Sequence, residues 1–434
     1  MGTVTWAVIF MSASVGQLDQ YGGWTGLKGK ATGFFHTQQV NDRWWLVDPN
    51  GNVFLSLGIC HASFDGDVIQ GTERRPYREA VMAKYGSREG WTQAALKLLR
   101  DNGFNTLGAW CGAYMFDQDM PYTVILNVAA RSGASWLTGA FIDVWDERFE
   151  KAAQEAAAQE CAPRRDSKQL IGYFTDNELH LGPDWRLPTT VLEEYLMMPA
   201  ASPAHLKALE FLRGRYASLA DFNAAWHVTL TGWEALDSGV KFNGRGRTQR
   251  ASEDSQVFLE LVMRRYFQVC RDAIRARDPN HLVLGCRLAV FLDVPVARAA
   301  RGLVDVFSVN HYIPRPNGAG LRQLYEAAQA PLMVTEWAFR SRDSGLPNTR
   351  GAGPIVNTQE DRANSYRAYL TELLKIPFLV GAHWFEYADE PAEGRFDGEN
   401  SNYGLVNIKD EPYETFLAVV RQTNAEAYAI HAGN

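Results

Sequence analysis

Two glutamates follow apolar runs at widely separated places in the chain. Glu178 closes the run 170–178 directly after Asp176 and Asn177, and Glu336 lies near the end of the run 332–339. Burying an ionised carboxylate without a partner is costly, so an acid at a strand end indicates an accessible site. Two facing carboxyl groups suit glycosidic cleavage, because one protonates the leaving oxygen while the other attacks or stabilises the reacting carbon.

The elements that would position these acids form a repeating pattern from Val53 onward. Short, continuously apolar runs alternate with helical stretches such as 90–101, 146–162 and 254–277. Continuous hydrophobicity is typical of parallel strands buried on both faces. The pattern predicts an α/β fold, a (β/α)₈ TIM barrel. A doubly wound open sheet is the alternative, but this sequence has no G-x-G-x-x-G after its first predicted strand to support it. The eight predicted strand runs are 53–60, 104–110, 123–128, 170–178, 282–288, 304–312, 332–339 and 378–387.

Two additions to the barrel are predicted. Residues 1–52 form an N-terminal segment, and the stretch 33–58 has the turn residues of a β-meander packed on the barrel. A long excursion, roughly 183–253, separates the fourth strand from the next helix and predicts a helical cap over the barrel mouth. Residues 53–434 then form the catalytic barrel, and the whole chain forms one domain.

Composition excludes several partners. The 434 residues carry 43 Lys and Arg against 50 Asp and Glu, a net charge of −7 without a basic patch, which disfavours nucleic acid. No apolar stretch reaches the roughly 18–20 residues that span a membrane. The 13 Trp and 17 Tyr suit a neutral partner, and nothing in the chain indicates an oligomeric state. The apolar run 5–16 is similar to a short secretory core, so secretion or periplasmic export is favoured over a cytoplasmic location.

Several other side chains are predicted to reach the barrel mouth, where strand carboxyl ends place the chemistry of such enzymes. The phenol of Tyr312 can donate to a carboxylate and keep it ionised. His311 can form a hydrogen bond with a sugar hydroxyl, or it can have a purely structural role. Arg287, at the end of the fifth run, and His61, after the first, can also reach the mouth.

Aromatic side chains at the strand ends are candidates for stacking on a sugar, whose C–H face packs on an indole. Trp384 closes the eighth run, and Glu386, two residues on, should share its strand face and accept hydroxyl hydrogen bonds. Trp110 and Trp337 are further candidates of the same kind.

Several blocks of the sequence, including those around Glu178 and Glu336, resemble the clan A glycoside hydrolases, in which acids follow the fourth and seventh strands. The resemblance is closer to the family 50 β-agarases and looser to the family 42 β-galactosidases. It spans most of 33–410. The blocks that carry it are GFF…RWWLVDPNG at 33–51, IGYFTDNELHLG at 171–182, FNAAW at 222–226, TEWAF at 335–339 and HWFEYADEP…GRFDGENSNYGLVNI at 383–408.

The resemblance implies a retaining hydrolase of β-linked neutral oligo- or polysaccharide, with β-1,4-galactosidic bonds as the expected target. It assigns Glu178 as general acid/base, Glu336 as nucleophile, and Asn177 to the hydroxyl beside the reacting carbon. It also implies that Tyr312 orients Glu336, that Trp384 is the sugar platform, and that Asn400 binds substrate. Neither step of this mechanism requires a metal or an organic cofactor.

Alternative functions remain at this point. A β-galactosidase or β-glucanase of the same clan has the same expected site. Asp176, Glu178 and His180 share one strand face and could bind a metal that activates water, although no H-x-H or H-E-x-x-H motif occurs. No C-x-x-C or Cys/His ligand spacing occurs among the five cysteines either. A carbohydrate-binding barrel without activity is the third alternative.

Overall fold

The structure is a computed structural model that describes residues 17–240, 242, 246–289 and 293–433. The apolar run predicted as a secretory core, 5–16, lies outside the described residues. Four strands form an antiparallel sheet and eight others form a curved parallel sheet in sequence order, while β12 and β13 pair separately. The strands are β1 (Trp24–Lys28), β2 (His36–Val40), β3 (Arg43–Val47), β4 (Asn52–Phe54), β5 (Ser56–Ile59), β6 (Thr106–Leu107), β7 (Tyr122–Ile125), β8 (Leu170–Phe174), β9 (Leu282–Val283), β10 (Phe307–Asn310), β11 (Leu332–Trp337), β12 (Arg340–Ser341), β13 (Ile355–Val356) and β14 (Leu379–Trp384).

The parallel sheet closes into a barrel between its two outer strands, β9 and β10. Leu288 forms an isolated parallel bridge with Val309, and the amide of Asn310 donates to the carbonyl of Leu288 at 2.7 Å. Near the start of the same strands, the amide of Asp305 donates to the carbonyl of Val283 at 2.9 Å. The α/β barrel class expected from the sequence is therefore confirmed.

The antiparallel sheet closes the amino-terminal end of the barrel. Leu46 and Phe54 from this sheet, together with Phe35 just before β2, share one buried cluster with residues near the starts of the barrel strands, including Ile171 and Val380. Apolar burial of this kind is the main stabilising term in packing one layer on another. The amino-terminal end is thereby filled, which leaves the opposite end for a site.

The strand boundaries differ from those predicted. The first barrel run was expected over 53–60, but Val53 and Phe54 belong to the antiparallel sheet and the chain enters the barrel only at Ser56. The apolar pattern could not separate the two strands, because both are fully buried. The antiparallel sheet also includes β1, which lies before the predicted meander.

Twelve α-helices lie between or after these strands in the described part of the chain. The long helix α8 begins before its predicted start at 254, because the Thr248 side chain accepts from the amide of Ala251 and caps it. The helices are α1 (Pro76–Tyr85), α2 (Arg88–Asp101), α3 (Val128–Arg131), α4 (Glu147–Ala156), α5 (Val191–Met197), α6 (Pro203–Arg215), α7 (Leu219–Trp226), α8 (Gln249–Arg277), α9 (Val294–Ala300), α10 (Gly318–Ala328), α11 (Gln359–Leu374) and α12 (Glu414–Ala432).

The excursion after the fourth barrel strand is helical, with α5, α6 and α7. Helix α5 packs on α6 and on α8, and α7 also packs on α8. Of the described residues of the excursion, Trp185 and Arg186 in its first part line the central cavity. The cap over the barrel mouth is therefore formed by that leading segment, while the helices stack on the outer helix α8.

All five cysteines are buried and free. No helix in the described part of the chain combines the length and the apolar character that crossing a membrane requires.

Candidate active site

A cavity of about 810 Å³ opens at the carboxyl ends of the barrel strands. Its walls come from the loops after most of the strands, and it contains both candidate glutamates. Of the twelve site residues expected from the sequence, six line it: His61, Trp110, Asn177, Glu178, Tyr312 and Glu336.

Glu178 lies after β8 and is only 9% exposed. One carboxylate oxygen, Oε1, accepts from Asn310 Nδ2 at 3.0 Å, and Oε2 accepts from the indole Nε1 of Trp136 at 3.1 Å. Burial, reinforced by the negative charge of Glu336, raises the pKa of Glu178 to about 7, although both hydrogen bonds oppose the shift. A carboxyl with that pKa is half protonated near neutral pH and can act as a general acid.

Glu336 lies near the end of β11 and is 5% exposed. Its Oε1 accepts from Arg287 Nη2 at 2.6 Å, and its Oε2 accepts from the Tyr312 hydroxyl at 2.7 Å. The carboxylate is thereby fixed between a permanent cation and a phenol. Such charge-assisted hydrogen bonds hold a group in one orientation, as an attacking nucleophile requires.

One network joins the two glutamates. Asn177 Oδ1 accepts from Arg287 Nη1 at 2.8 Å and from Asn310 Nδ2 at 3.1 Å. The same Asn310 amide also donates to Glu178, and the same guanidinium donates to Glu336. A displacement at either glutamate would therefore disturb the partners of the other.

Several described residues that follow barrel strands adopt a left-handed backbone, among them four of the predicted site residues. The φ angles are +54° at His61, +69° at Trp110, +46° at Glu178 and +48° at Arg287. This conformation is unfavourable for a residue with a side chain and persists only where surrounding contacts impose it. In Glu178 the backbone amide donates to the carbonyl of Arg287 at 3.2 Å, and its carbonyl accepts from Arg186 Nη1 at 2.8 Å.

A polar cluster, of which His61 and Asp67 line the same cavity, forms a further part of the site. His61 Nδ1 makes a short contact with Glu386 Oε2 and lies 3.7 Å from Asp67 Oδ2. Burial alone would lower the pKa of His61, but the charges of Asp67 and Glu386 outweigh it and raise that pKa to about 9. Because an imidazolium has only donors, this cluster presents a donor and acceptors side by side, which suits sugar hydroxyls.

The prediction that Trp384 and Trp337 are aromatic platforms for a sugar is wrong. Both side chains are at most 1% exposed and pack edge to face, with their ring centroids 4.9 Å apart. Trp384 Nε1 donates to the carbonyl of Tyr403 at 2.9 Å, and Arg362 lies 5.3 Å from the Trp384 ring. These indoles face outward between the strands and helix α11, so they belong to the core behind the site.

Glu386 is buried and does not line the cavity. The strand-parity argument that paired it with Trp384 fails, because β14 ends at Trp384 and the chain turns there. Glu386 instead reaches the site through His61. Arg287, likewise fully buried, lies behind Glu336 and does not line the mouth.

His311 and Asn400 point away from the cavity. His311 Nδ1 contacts the Tyr369 hydroxyl, and burial lowers the pKa of this imidazole to about 4. Asn400 Oδ1 accepts from the backbone amides of Thr349 and Arg350 at 3.0 and 3.1 Å. Both residues therefore hold loops in place.

The loop that contains Asn400 does contribute to the cavity through other residues. Arg395, Phe396 and Glu399 line it. The Arg395 guanidinium bonds the Glu399 carboxylate at 2.9 Å and the Glu390 carboxylate at 3.1 Å. The loop's composition was informative, but the sequence could not indicate which of its polar side chains point inward.

The three residues of the metal hypothesis do not converge. Asp176 accepts from the Tyr266 hydroxyl at 2.6 Å, whereas His180 lies 2.8 Å from Glu194. In the described part of the chain, one group of three potential ligands has its atoms within 4.8 Å of one another, and it is the polar cluster His61, Asp67 and Glu386.

Sequence reasoning missed Trp136 and Asn310, which both contact Glu178. Asn310 stands in a predicted strand, where a polar residue among apolar ones was a usable signal. Trp136 lies between α3 and α4, in a stretch without strand or helix periodicity. No pattern in the sequence pointed to it.

Comparison with known proteins shows a consistent similarity. No family model matches the chain. Over 487 residues it is 29% identical to Beta-agarase B of Vibrio sp. (strain JT0107), covering 94% of this chain and 50% of that protein. Over 460 residues it is 29% identical to Beta-agarase A of the same strain, covering 90% of this chain and 45% of that protein. The chain thus spans about half the length of the curated relatives it matches.

A solved structure has the same fold. The structure of PfGH50B superposes with a TM-score of 0.84 at 25% identity, covering 97% of this chain and 70% of that chain. The chain is therefore agarase-like in sequence, with the barrel fold of a family 50 glycoside hydrolase structure.

Proposed function

We propose that this protein is a retaining glycoside hydrolase that cleaves β-linked neutral polysaccharide, with β-1,4-galactosidic bonds of agarose or its fragments as the substrate. The observation that carries the proposal is the unequal environment of two carboxyl groups in one cavity. Glu178 has a pKa raised to about 7 by burial, next to the charge of Glu336, whereas Glu336 is bonded by a buried arginine and a tyrosine. The similarity to two beta-agarases supports the choice of substrate.

The two environments support a double displacement. The Glu336 carboxylate attacks the anomeric carbon while Glu178 transfers its proton to the departing glycosidic oxygen. Glu178, now ionised, then takes a proton from a water molecule, whose oxygen attacks the same carbon and releases Glu336. Because the carbon is inverted twice, the product keeps the configuration of the substrate.

The remaining residues of the site bind the substrate or orient the attacking carboxylate. Tyr312 and Arg287 hold the attacking carboxylate by hydrogen bonds at 2.7 and 2.6 Å. Asn177 lines the cavity and belongs to the same network, so its amide can meet the hydroxyl beside the reacting carbon. His61 and Asp67, which both line the cavity, supply further partners for hydroxyls, and Trp110 lines the cavity as well.

A substrate panel tests this proposal. Agarose, galactan, laminarin, cellulose and nitrophenyl β-glycosides are incubated with the protein, and products are separated by chromatography. We expect release of neutral oligosaccharides from agarose or its fragments, and no release by Glu178→Gln or Glu336→Gln. Cleavage of galactosides or glucans alone would favour a β-galactosidase or β-glucanase, and binding without turnover would favour a carbohydrate-binding barrel.

A further inference from the structure

An exposed tryptophan stands on the cavity wall beside the proposed general acid. Trp185 lines the cavity, and 62% of its surface is exposed. Large aromatic side chains are rarely left this open in a folded protein. Within a carbohydrate-cleaving site, such a face is available for stacking on a pyranose.

The Trp185 ring is supported from behind. The Arg186 guanidinium lies 4.5 Å from its centroid, and the Asp184 carboxylate, in a side chain that is 5% exposed, accepts from Arg186 Nε at 3.0 Å. Trp136 meets the ring at an interplanar angle of 62°, with centroids 6.5 Å apart. A ring backed by a buried ion pair and a second indole keeps one orientation, which reduces the entropy lost on binding.

The same contacts fix this ring relative to Glu178. Arg186 Nη1 donates to the backbone carbonyl of Glu178 at 2.8 Å and to that of Trp136 at 3.3 Å. The Trp136 indole, in turn, donates to the Glu178 carboxylate. The exposed ring and the proton donor are therefore parts of one connected unit.

We infer that Trp185 forms the binding platform for the sugar on the leaving-group side of the cleaved bond. The inference rests on the proposed function. The atom that Glu178 protonates belongs to the leaving sugar, so a surface rigidly attached to Glu178 on the cavity wall meets that sugar. The ligand class is a neutral pyranose that offers one apolar C–H face. Arg186 is a positioning residue, since it acts by holding Trp185 and the Glu178 backbone.

Two substrates that share the reacting sugar but differ in the leaving group distinguish binding of the leaving sugar from a general effect on activity. The first is the oligosaccharide that the wild-type protein cleaves, whose leaving group is a sugar. The second is the corresponding β-glycosyl fluoride, whose leaving fluoride occupies no sugar site and does not stack on an indole. The variants are Trp185→Ala and Trp185→Phe, with Leu206→Ala as a matched control at a residue that is 54% exposed and does not line the cavity.

For Trp185→Ala we expect kcat/KM on the oligosaccharide to fall by roughly 10-fold to 100-fold, with kcat/KM on the fluoride within about twofold of wild type. Trp185→Phe should recover most of the loss, and Leu206→Ala should match wild type on both substrates. Equal losses on both substrates would overturn the platform, since they indicate a general disturbance of the site. Fluoride leaves without a proton donor, so a disturbed Glu178 would also spare the fluoride; it is detected by the pH dependence of kcat/KM on the oligosaccharide. The platform role leaves that pH profile at its wild-type position, and a shifted profile would overturn the platform too. An unchanged oligosaccharide rate would overturn it as well. If the wild-type protein cleaves neither substrate, the proposed function itself fails.

Discussion

Arg287 Nη2 donates to Glu336 Oε1 at 2.6 Å, from a guanidinium that is fully buried. The same guanidinium bonds Asn177 Oδ1 and the carbonyl of Thr335, and its Cζ lies 5.6 Å from the centroid of the Trp110 ring. A buried cation of this kind is stable only with such partners. The relationship makes Arg287 the residue that fixes the proposed nucleophile.

Arg287→Lys should therefore impair catalysis although it keeps the charge. An ammonium group cannot reproduce the fork that bonds Asn177 and Glu336 together. We expect kcat to fall by about 100-fold, the range for loss of one pre-organised donor, in a protein with wild-type circular dichroism. Retention of the wild-type kcat would show that the network does not position Glu336.

Tyr312→Phe removes one donor from Glu336 and little packing. The lost hydrogen bond, 2.7 Å long, involves a charged acceptor, so kcat should fall by roughly 10-fold to 100-fold. KM and the unfolding temperature should change little, because the phenyl ring still fills the site. Steady-state kinetics and thermal unfolding measure these effects; a rise in KM with unchanged kcat would assign Tyr312 to substrate binding instead.

The pH dependence reports the protonation of Glu178. Its acid form is required, and burial raises its pKa to about 7, so kcat/KM should decline as pH rises through about 7. In Trp136→Phe the indole donor to the ionised carboxylate is lost, which raises this pKa further and moves the decline to higher pH. Leu206→Ala serves as the control. A decline that moves to lower pH, or stays in place, would contradict the role of the Trp136 hydrogen bond.

Trp384 should behave as a core residue. It is fully buried against Trp337 and Arg362, so Trp384→Ala should lower the free energy of unfolding by about 3–5 kcal/mol. For the fraction that remains folded, KM should stay near the wild-type value. Denaturant unfolding and kinetics at low temperature distinguish the two roles, since a raised KM with unchanged stability would restore the platform interpretation.

The sequence predicted the barrel well because strands buried on both faces appear as continuous apolar runs. Such runs can be identified in the sequence without knowing which strands pair. Glu178 and Glu336 were found for the same reason, as acids that interrupt such runs. Errors arose where orientation mattered. Trp384 and Trp337 have the residue type of a sugar platform, but the direction in which a strand-end side chain points depends on where the strand stops.

Two site residues in loops far from any strand end were not predicted from the sequence. Trp136 and Trp185 come from segments whose course is set by tertiary contacts, such as the bonds of Arg186 to two backbone carbonyls. Periodicity carries no information on such contacts. Site residues at or just after the ends of strands were therefore largely predictable, with Asn310 as the exception, whereas Trp136 and Trp185 were not.

Covalent trapping tests whether Glu336 forms a bond to the sugar during the reaction. A 2-deoxy-2-fluoro-β-galactosyl fluoride has a good leaving group, and its C2 fluorine slows both steps, so the glycosyl-enzyme accumulates as fluoride departs. We predict inactivation with one sugar attached, located by peptide mass spectrometry on Glu336, and no labelling of Glu336→Gln. A label on another residue, or turnover of agarose fragments to products of inverted configuration without any adduct, would rule out a double displacement through Glu336.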